Sequence, residues 1–130
     1  MGAVRLAMIL VVSTPLLAGP AGAQDAGDPE LGQVLFERHC GICHAIELPH
    51  TVFGPHLVGV FGREAGSVRG YRYSYEMRTS GIVWDEETLD ALIANPQGAI
   101  PGTNMYFRGV PDPAERAHII AYLKQQSGAD

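Results

Sequence analysis

The chain has 130 residues, which is enough for one domain with a small hydrophobic core. Its 9 Lys and Arg residues are outnumbered by 14 Asp and Glu residues, so the formal net charge at neutral pH is −5. The few cationic residues are scattered rather than clustered, which is not the charge pattern of a nucleic-acid-binding protein. We therefore expect no nucleic-acid partner.

Residues 1–23 differ in composition from the remainder of the chain. A single charge, Arg5, precedes an apolar run over residues 6–17, and small residues occupy positions 21–23. The run is shorter than the roughly 20 residues that a membrane-spanning helix needs, and the small residues are typical of a signal-peptide cleavage site. We expect a signal peptide cleaved after Ala23, export to the periplasm, and one domain over residues 24–130 that is not embedded in the membrane. Without Arg5 the net charge becomes 8 − 14 = −6.

Both cysteines lie in one short stretch, Cys40-Gly41-Ile42-Cys43-His44. This C-x-x-C-H spacing is typical of covalent haem c attachment, in which each thiol forms a thioether with a haem vinyl group and the histidine ligates the iron. A disulfide, a zinc site or a dithiol switch are alternatives, but the sequence offers zinc no second cysteine pair and contains no βαβ unit for a dithiol switch. We predict one haem c with its iron, attached at Cys40 and Cys43 and ligated by His44.

The mature chain shows helical patterns and loops, and no alternating pattern typical of strands. Asp28 and Pro29 are typical of a helix start, and this first helix is expected to end near Cys40. Gly and Pro residues interrupt residues 45–67 and 99–111, which are predicted as loops, the first wrapped around the haem. The other predicted helical segments are a short turn over residues 74–79, a helix from after Trp84 to Asn95-Pro96, and a last helix that opens at Asp112-Pro113 with Glu115 in a capping box. The predicted fold class is all-α, with three main helices, short helical turns and long loops around one covalently bound haem.

The group in the second axial position of the iron decides the function. A methionine sulfur closes the iron and suits electron transfer, whereas an open position suits ligand binding or peroxidase chemistry. Met105 is the preferred candidate, because it lies in an irregular loop behind Pro101-Gly102, whereas a helical methionine more often fills a core. The remaining candidates in the mature chain are Met77, His39, His50, His56 and His118.

Further motifs, in the same order along the chain, resemble those of class I c-type cytochromes, the group of bacterial cytochrome c2 and mitochondrial cytochrome c. The resemblance covers nearly all of residues 28–126. It implies that Met105 is the distal ligand, and that the Pro55 carbonyl accepts a hydrogen bond from His44. It also implies that Arg63, Tyr73 and Trp84 bond a buried haem propionate. The matching stretches are Gly32-x3-Phe36, Gly54-Pro55-x-Leu57, Gly62-Arg63, Gly70-Tyr71-x-Tyr73-Ser74, Gly81-x2-Trp84, Asn95-Pro96, Pro101-Gly102-Thr103-x-Met105, and Arg116 with Ile120-Ala121-Tyr122-Leu123.

The function implied by this resemblance is that of a monomeric periplasmic single-electron carrier, not an enzyme. Its expected partners are redox proteins: a membrane bc1-type complex, a terminal oxidase, a photosynthetic reaction centre or a periplasmic dehydrogenase. An alternative is a dedicated haem subunit of a periplasmic oxidoreductase. The sequence does not choose among these partners.

Two departures from the family's pattern bear on function. Leu92 stands where many relatives place a tyrosine that bonds the methionine sulfur, and Met77 stands where mitochondrial relatives have an asparagine. We expect less water on the side of the haem that faces the methionine ligand, and therefore a raised redox potential. The ring of lysines that surrounds the haem edge in mitochondrial relatives is also missing, which predicts docking that is mainly apolar and weakly salt-dependent, or directed at a basic surface. The positions concerned hold Val34, His39, Gln97, Gly98, Asn104, Pro111 and Asp112.

Overall fold

The computed structural model describes residues 1–2, 26–47 and 53–129. The predicted signal peptide lies outside the described residues apart from Met1 and Gly2, as does His50. Within the described ranges the chain is helical, with one isolated antiparallel bridge between Glu64 and Val83, so the all-α fold class is confirmed. No helix among these residues is both long and apolar enough to cross a membrane. The helices are α1 (Pro29–His39), α2 (Tyr75–Thr79), α3 (Glu86–Ala94), α4 (Pro96–Ala99) and α5 (Pro113–Gln126).

The helix starts follow from local capping. The Asp28 carboxylate accepts hydrogen bonds from the amides of Glu30 and Leu31, at 2.8 and 3.3 Å, so α1 begins at Pro29 as predicted. The side chains of Asp85 and Thr88 form a reciprocal capping box at the start of α3. These bonds satisfy amides that have no partner inside the helix, and they need no contact from elsewhere in the chain.

One local prediction was confirmed but incomplete, and one was wrong. Asn95-Pro96 ends α3 but also begins the one-turn helix α4, because the Asn95 side chain accepts a hydrogen bond from the Gly98 amide at 3.1 Å. At α5, Asp112 bonds the amide of Ala114, and Glu115 does not complete the predicted capping box. The Glu115 carboxylate instead lies 3.2 Å from Nε2 of His39 at the end of α1. This contact joins α5 to α1 and does not cap the start of α5.

Helices α1 and α5 cross closely and form one side of the core. Gly32 permits this approach, since a Cβ atom at that position would overlap the backbone carbonyl of His118. Beside it, the rings of Phe36 and Tyr122 lie 5.5 Å apart between centroids, and Ile119 is fully buried. The end of α1, and therefore the C-x-x-C-H stretch that follows it, is positioned by this packing.

Residues 62–65, which lie inside a segment predicted as a loop, pair with residues 82–84 as a short antiparallel ribbon. The Gly62 amide donates to the Trp84 carbonyl at 2.7 Å, and the Trp84 amide donates to the Arg63 carbonyl at 2.9 Å. The Ala65 amide donates to the Ile82 carbonyl at 2.8 Å. This ribbon holds Arg63 and Trp84 opposite each other at the edge of the core.

Candidate cofactor site

A cavity of about 390 Å³ opens inside the ring of helices and loops. The fold brings together all eight residues that the sequence assigned to the haem site, although they come from six separate stretches of the chain. Met77, Leu92 and His39 also line the cavity, whereas His56 and His118, two of the alternative ligands, are not among its described lining residues. The eight are Cys40, Cys43, His44, Pro55, Arg63, Tyr73, Trp84 and Met105.

The two thiols face the cavity from a tight turn at the end of α1. The amides of Cys43 and His44 both donate to the Cys40 carbonyl, at 3.0 and 2.9 Å. Cys40 and Cys43 form no disulfide, and burial, with a smaller effect of Cys43, raises the pKa of Cys40 to about 12. No group of three or more His, Cys, Asp or Glu side chains in the described ranges is arranged to hold a metal ion, so the geometry gives the zinc alternative no support.

His44 is held in one orientation and one tautomer. Its Nδ1 lies 2.9 Å from the Pro55 carbonyl oxygen, which can only accept, so Nδ1 carries the proton and Nε2 keeps its lone pair. Burial lowers the pKa of His44, which favours the neutral imidazole that a metal ion requires. Gly54 allows the loop to approach this closely, because a Cβ atom there would lie 2.8 Å from the His44 ring.

Arg63 brings a positive charge into an otherwise mostly apolar wall. Its guanidinium donates to the carbonyls of Val58 and His56, at 2.6 and 3.1 Å. Its Nε atom is buried and has no hydrogen-bond partner among the described residues. A buried cationic donor without an acceptor fits a ligand that carries a carboxylate, as haem does through its propionates.

Tyr73 and Trp84 lie on the same wall as Arg63. Burial raises the pKa of Tyr73, partly offset by a hydrogen bond to the Val68 backbone and by the charge of Arg63, so its hydroxyl stays protonated and able to donate at neutral pH. Trp84 is only 6 % exposed, and its backbone is fixed to Arg63 by the ribbon. The residues present therefore fit a large apolar cofactor with an acidic edge.

Met105 lies in the irregular segment between α4 and α5 and is half-buried against the core. Its amide donates to the hydroxyl of Thr103 at 3.3 Å, and its carbonyl accepts from the Phe107 amide at 3.0 Å. Met77 and Leu92, 6 % and 8 % exposed, line the cavity with it. The surroundings of Met105 thus contain the apolar side chains that the sequence comparison with the family singled out.

Sequence reasoning gave no structural role to three side chains that position the Met105 segment. Gln97 bonds the backbone of this segment, and Asn104, which lies within it, bonds the backbone of Arg72 and Ser74. Arg116 bonds the carbonyls of Val110 and Pro111 at its far end. Each is a polar residue whose partner is remote or in a loop. No periodicity or spacing in the sequence marks such contacts.

Comparison with known proteins gives a consistent result. The family model described as cytochrome c matches residues 29–127. The cytochrome c2 of Rhodomicrobium vannielii is 40% identical over 129 residues, which cover 98% of this chain and 99% of that protein. Cytochrome c2 iso-2 of Magnetospirillum fulvum is 46% identical over 85 residues, or 65% of this chain and 88% of that protein. Cytochrome c of Ginkgo biloba is 39% identical over 106 residues, or 80% of this chain and 93% of that protein.

Proposed function

The chain belongs to the cytochrome c family, and on this premise we propose that it is a periplasmic single-electron carrier whose haem iron is ligated by His44 and Met105. Members of the family bind one covalent haem c with its iron, and Cys40 and Cys43 fit the attachment motif. They are electron-transfer proteins, so this chain is not an enzyme.

The observation that carries the ligand assignment is that His44 and Met105 line one and the same cavity. His44 offers a neutral imidazole with a free Nε2, held by the Pro55 carbonyl. Met105 offers a thioether on a segment with no regular structure of its own. Two such ligands would leave no open position for peroxide, which supports electron transfer over peroxidase chemistry.

The remaining site residues supply the environment. When bound, haem supplies the one-electron couple between Fe(II) and Fe(III). In our proposal Pro55 fixes the orientation of the imidazole, and Arg63 and Tyr73 hold a propionate with Trp84 beside them. The apolar lining excludes water, which favours the less charged ferrous state.

The ligand assignment is tested by visible spectroscopy of the oxidised holoprotein. A methionine-ligated ferric haem has a weak long-wavelength charge-transfer band, which we expect in the wild type and in Met77→Leu but not in Met105→Leu. Met77 is a matched control, because it lines the same cavity and is buried. If the band survives in Met105→Leu and disappears in Met77→Leu, the iron ligand is Met77 and the assignment to Met105 is refuted.

Residues 1–23 form, in our proposal, a signal peptide that is cleaved after Ala23. The match to the Rhodomicrobium vannielii cytochrome c2 covers 98% of the chain and so extends into this segment, ahead of the family model that begins at residue 29, which supports the proposal. Mass spectrometry of the protein from a periplasmic fraction should give a chain that begins at Gln24. A chain found only in the cytoplasmic fraction with residues 1–23 attached would refute export.

We propose that partners dock on the apolar edge of the cavity. Ile42, Phe53 and Tyr106 line the cavity and are 79 %, 74 % and 91 % exposed. With an acidic chain and no lysine ring, the rate of electron transfer from a purified bc1-type complex should change less than roughly tenfold between about 0.01 and 0.15 M ionic strength. A steeper fall with added salt would show docking by charge. A chain that instead co-purifies in fixed ratio with one dehydrogenase would favour the dedicated-subunit alternative.

A further inference from the structure

The side chain of Gln97 bridges helix α4 to the turn that precedes Met105. Its Nε2 donates to the Thr103 carbonyl at 2.8 Å, and its Oε1 accepts from the Gly102 amide at 3.3 Å. The amide group therefore uses its donor and its acceptor on the same turn. Gln97 itself is fixed at its backbone, because it lies inside α4, whose start is capped by Asn95.

The side chain of Asn104 makes the corresponding bridge on the other side of the same segment. Its Nδ2 donates to the Arg72 carbonyl at 3.0 Å, and its Oδ1 accepts from the Ser74 amide at 3.2 Å. Ser74 is the N-cap residue of α2. Asn104, the residue directly before Met105, is thus tied to a distant and structured part of the chain.

The backbone hydrogen bonds nearest to Met105 stay within the loop, whereas the Val110 amide, further along the segment, donates to the Ile93 carbonyl of α3 at 2.9 Å. The Thr103 amide donates to the Ile100 carbonyl at 3.0 Å, and the Phe107 amide donates to the Met105 carbonyl at 3.0 Å. Both bonds have their two ends within the same stretch of loop. The bonds of Gln97 and Asn104 differ, because they join residues 102–104 to α4 and to the start of α2.

Each of these two amide groups donates one hydrogen bond and accepts another. A lysine, which the family's mitochondrial members carry in these places, has donors only and could not accept from the amides of Gly102 or Ser74. The exchange of lysine for amide therefore changes the backbone attachment of the segment as well as its charge.

We propose that Gln97 and Asn104 act as two positioning residues, here called the amide clamps, that hold Met105 against the iron and oppose its replacement by an external ligand. The proposal rests on the His44 and Met105 ligation put forward above. An external ligand can bind the iron only when Met105 moves away, and such movement breaks the bonds of both clamps.

The affinity of the ferric holoprotein for imidazole measures how readily Met105 is displaced. Each clamp contributes two partly exposed hydrogen bonds, so Gln97→Ala and Asn104→Ala should each raise the imidazole affinity roughly fivefold. The clamps bond different neighbours, so the double variant should show roughly the product of the two effects, about 25-fold. Gln33→Ala is the matched control, because that exposed amide bonds Glu37 within α1 and should leave the affinity unchanged.

A second measurement separates this role from a general effect on folding. Asn104→Asp keeps the acceptor for the Ser74 amide and loses the donor to the Arg72 carbonyl, so its imidazole affinity should lie between those of wild type and Asn104→Ala. Hydrogen exchange of the Met105 and Phe107 amides should accelerate in the clamp variants, while exchange in α1 stays at the wild-type rate.

The outcomes distinguish this inference from the ligand assignment on which it rests. If the wild type shows the methionine charge-transfer band and both single variants bind imidazole no more tightly than wild type, the clamps are refuted and the ligation stands. If the wild type lacks the band, the ligation is refuted and the clamps with it.

Discussion

His44 and Met105 reach the same cavity from segments that are held by different interactions. His44 follows α1, which is fixed by close packing against α5 at Gly32 and by the contact between the tilted rings of Phe36 and Tyr122. Met105 lies in an irregular segment whose attachments to other parts of the chain include polar side chains at exposed positions. Packing resists any displacement, whereas single hydrogen bonds can open locally at modest cost, so we expect the methionine side to be the more mobile one.

The largest expected effect is at the packed side. Gly32→Ala should lower the free energy of unfolding by roughly 2–3 kcal/mol, because the added methyl group overlaps the His118 carbonyl and α1 must shift away from α5. Helix propensity alone predicts the opposite sign, a gain of about 1 kcal/mol. Denaturant unfolding of Gly32→Ala, with Gln33→Ala in the same helix as the control, decides between the steric loss and the gain in helix propensity. A Gly32→Ala variant more stable than wild type would contradict the close crossing of α1 and α5.

The next effect is on the polar side, at the far end of the Met105 segment. Arg116 bonds the carbonyls of Val110 and Pro111 and pairs with Asp90 at 2.6 Å, and its side chain is 12 % exposed. Arg116→Met should cost about 1–2 kcal/mol of unfolding free energy, most of it from the two carbonyl bonds, because Asp90 is substantially solvated.

The control for Arg116 is the more exposed ion pair of Lys124 with Glu86, at 3.0 Å. Lys124→Met should change the unfolding free energy by less than about 0.5 kcal/mol. Equal losses in Arg116→Met and Lys124→Met would show that the backbone carbonyls bonded by Arg116 add nothing to the attachment of the segment.

A smaller effect concerns the exclusion of water from the part of the cavity beside Met105. Leu92 is buried and lines the cavity, so Leu92→Tyr brings a hydroxyl group into an apolar region. We expect the midpoint potential to fall by roughly 30–60 mV, which corresponds to no more than a tenfold change in the one-electron equilibrium. Redox titration of Leu92→Tyr against Leu92→Ile is the measurement. An unchanged midpoint potential would refute the link between the exclusion of water from the cavity and the redox potential.

The smallest effect is the pH dependence of the cap of α3, the helix that carries Leu92. Hydrogen bonds from the backbone and hydroxyl of Thr88 hold the pKa of Asp85 below its ordinary value of 3.8. The stabilisation is therefore complete above that value and is lost as the pH falls through the lower pKa of the folded state. The wild type should be more stable than Asp85→Asn near neutral pH, and this difference should shrink below about pH 3.8. A difference that grows in acid would contradict the capping geometry.

The parts of the structure that the sequence predicted well depend on neighbouring residues. Asp28 caps α1, the short helical turn predicted over residues 74–79 corresponds to α2, and the C-x-x-C-H turn begins directly after α1. The parts that it missed depend on partners far along the chain. Glu115 fits a capping box locally, yet it lies beside His39 because α1 and α5 cross there. No local pattern indicates that Asn104 reaches Arg72, or that residues 62–65 pair with residues 82–84.

The site residues were predicted for two separate reasons. The spacing of Cys40, Cys43 and His44 carries its own chemistry, whereas Pro55, Arg63, Tyr73 and Trp84 were named from the family resemblance alone. That they line one cavity with Met105 follows from loops whose course no periodicity specifies.

The ribbon of residues 62–65 and 82–84 has a consequence for how sequences of this kind can change length. Arg63 and Trp84 face each other across it, and successive side chains along a paired strand point to opposite sides. Inserting or deleting one residue inside either strand would turn the side chains beyond that point away from the cavity. A similar change in the intervening stretch, around residues 67–72, would leave the pairing intact. The pairing therefore fixes the spacing within residues 62–65 and 82–84, whereas the intervening stretch is constrained by other contacts, among them the hydrogen bond from Asn104 to the Arg72 carbonyl.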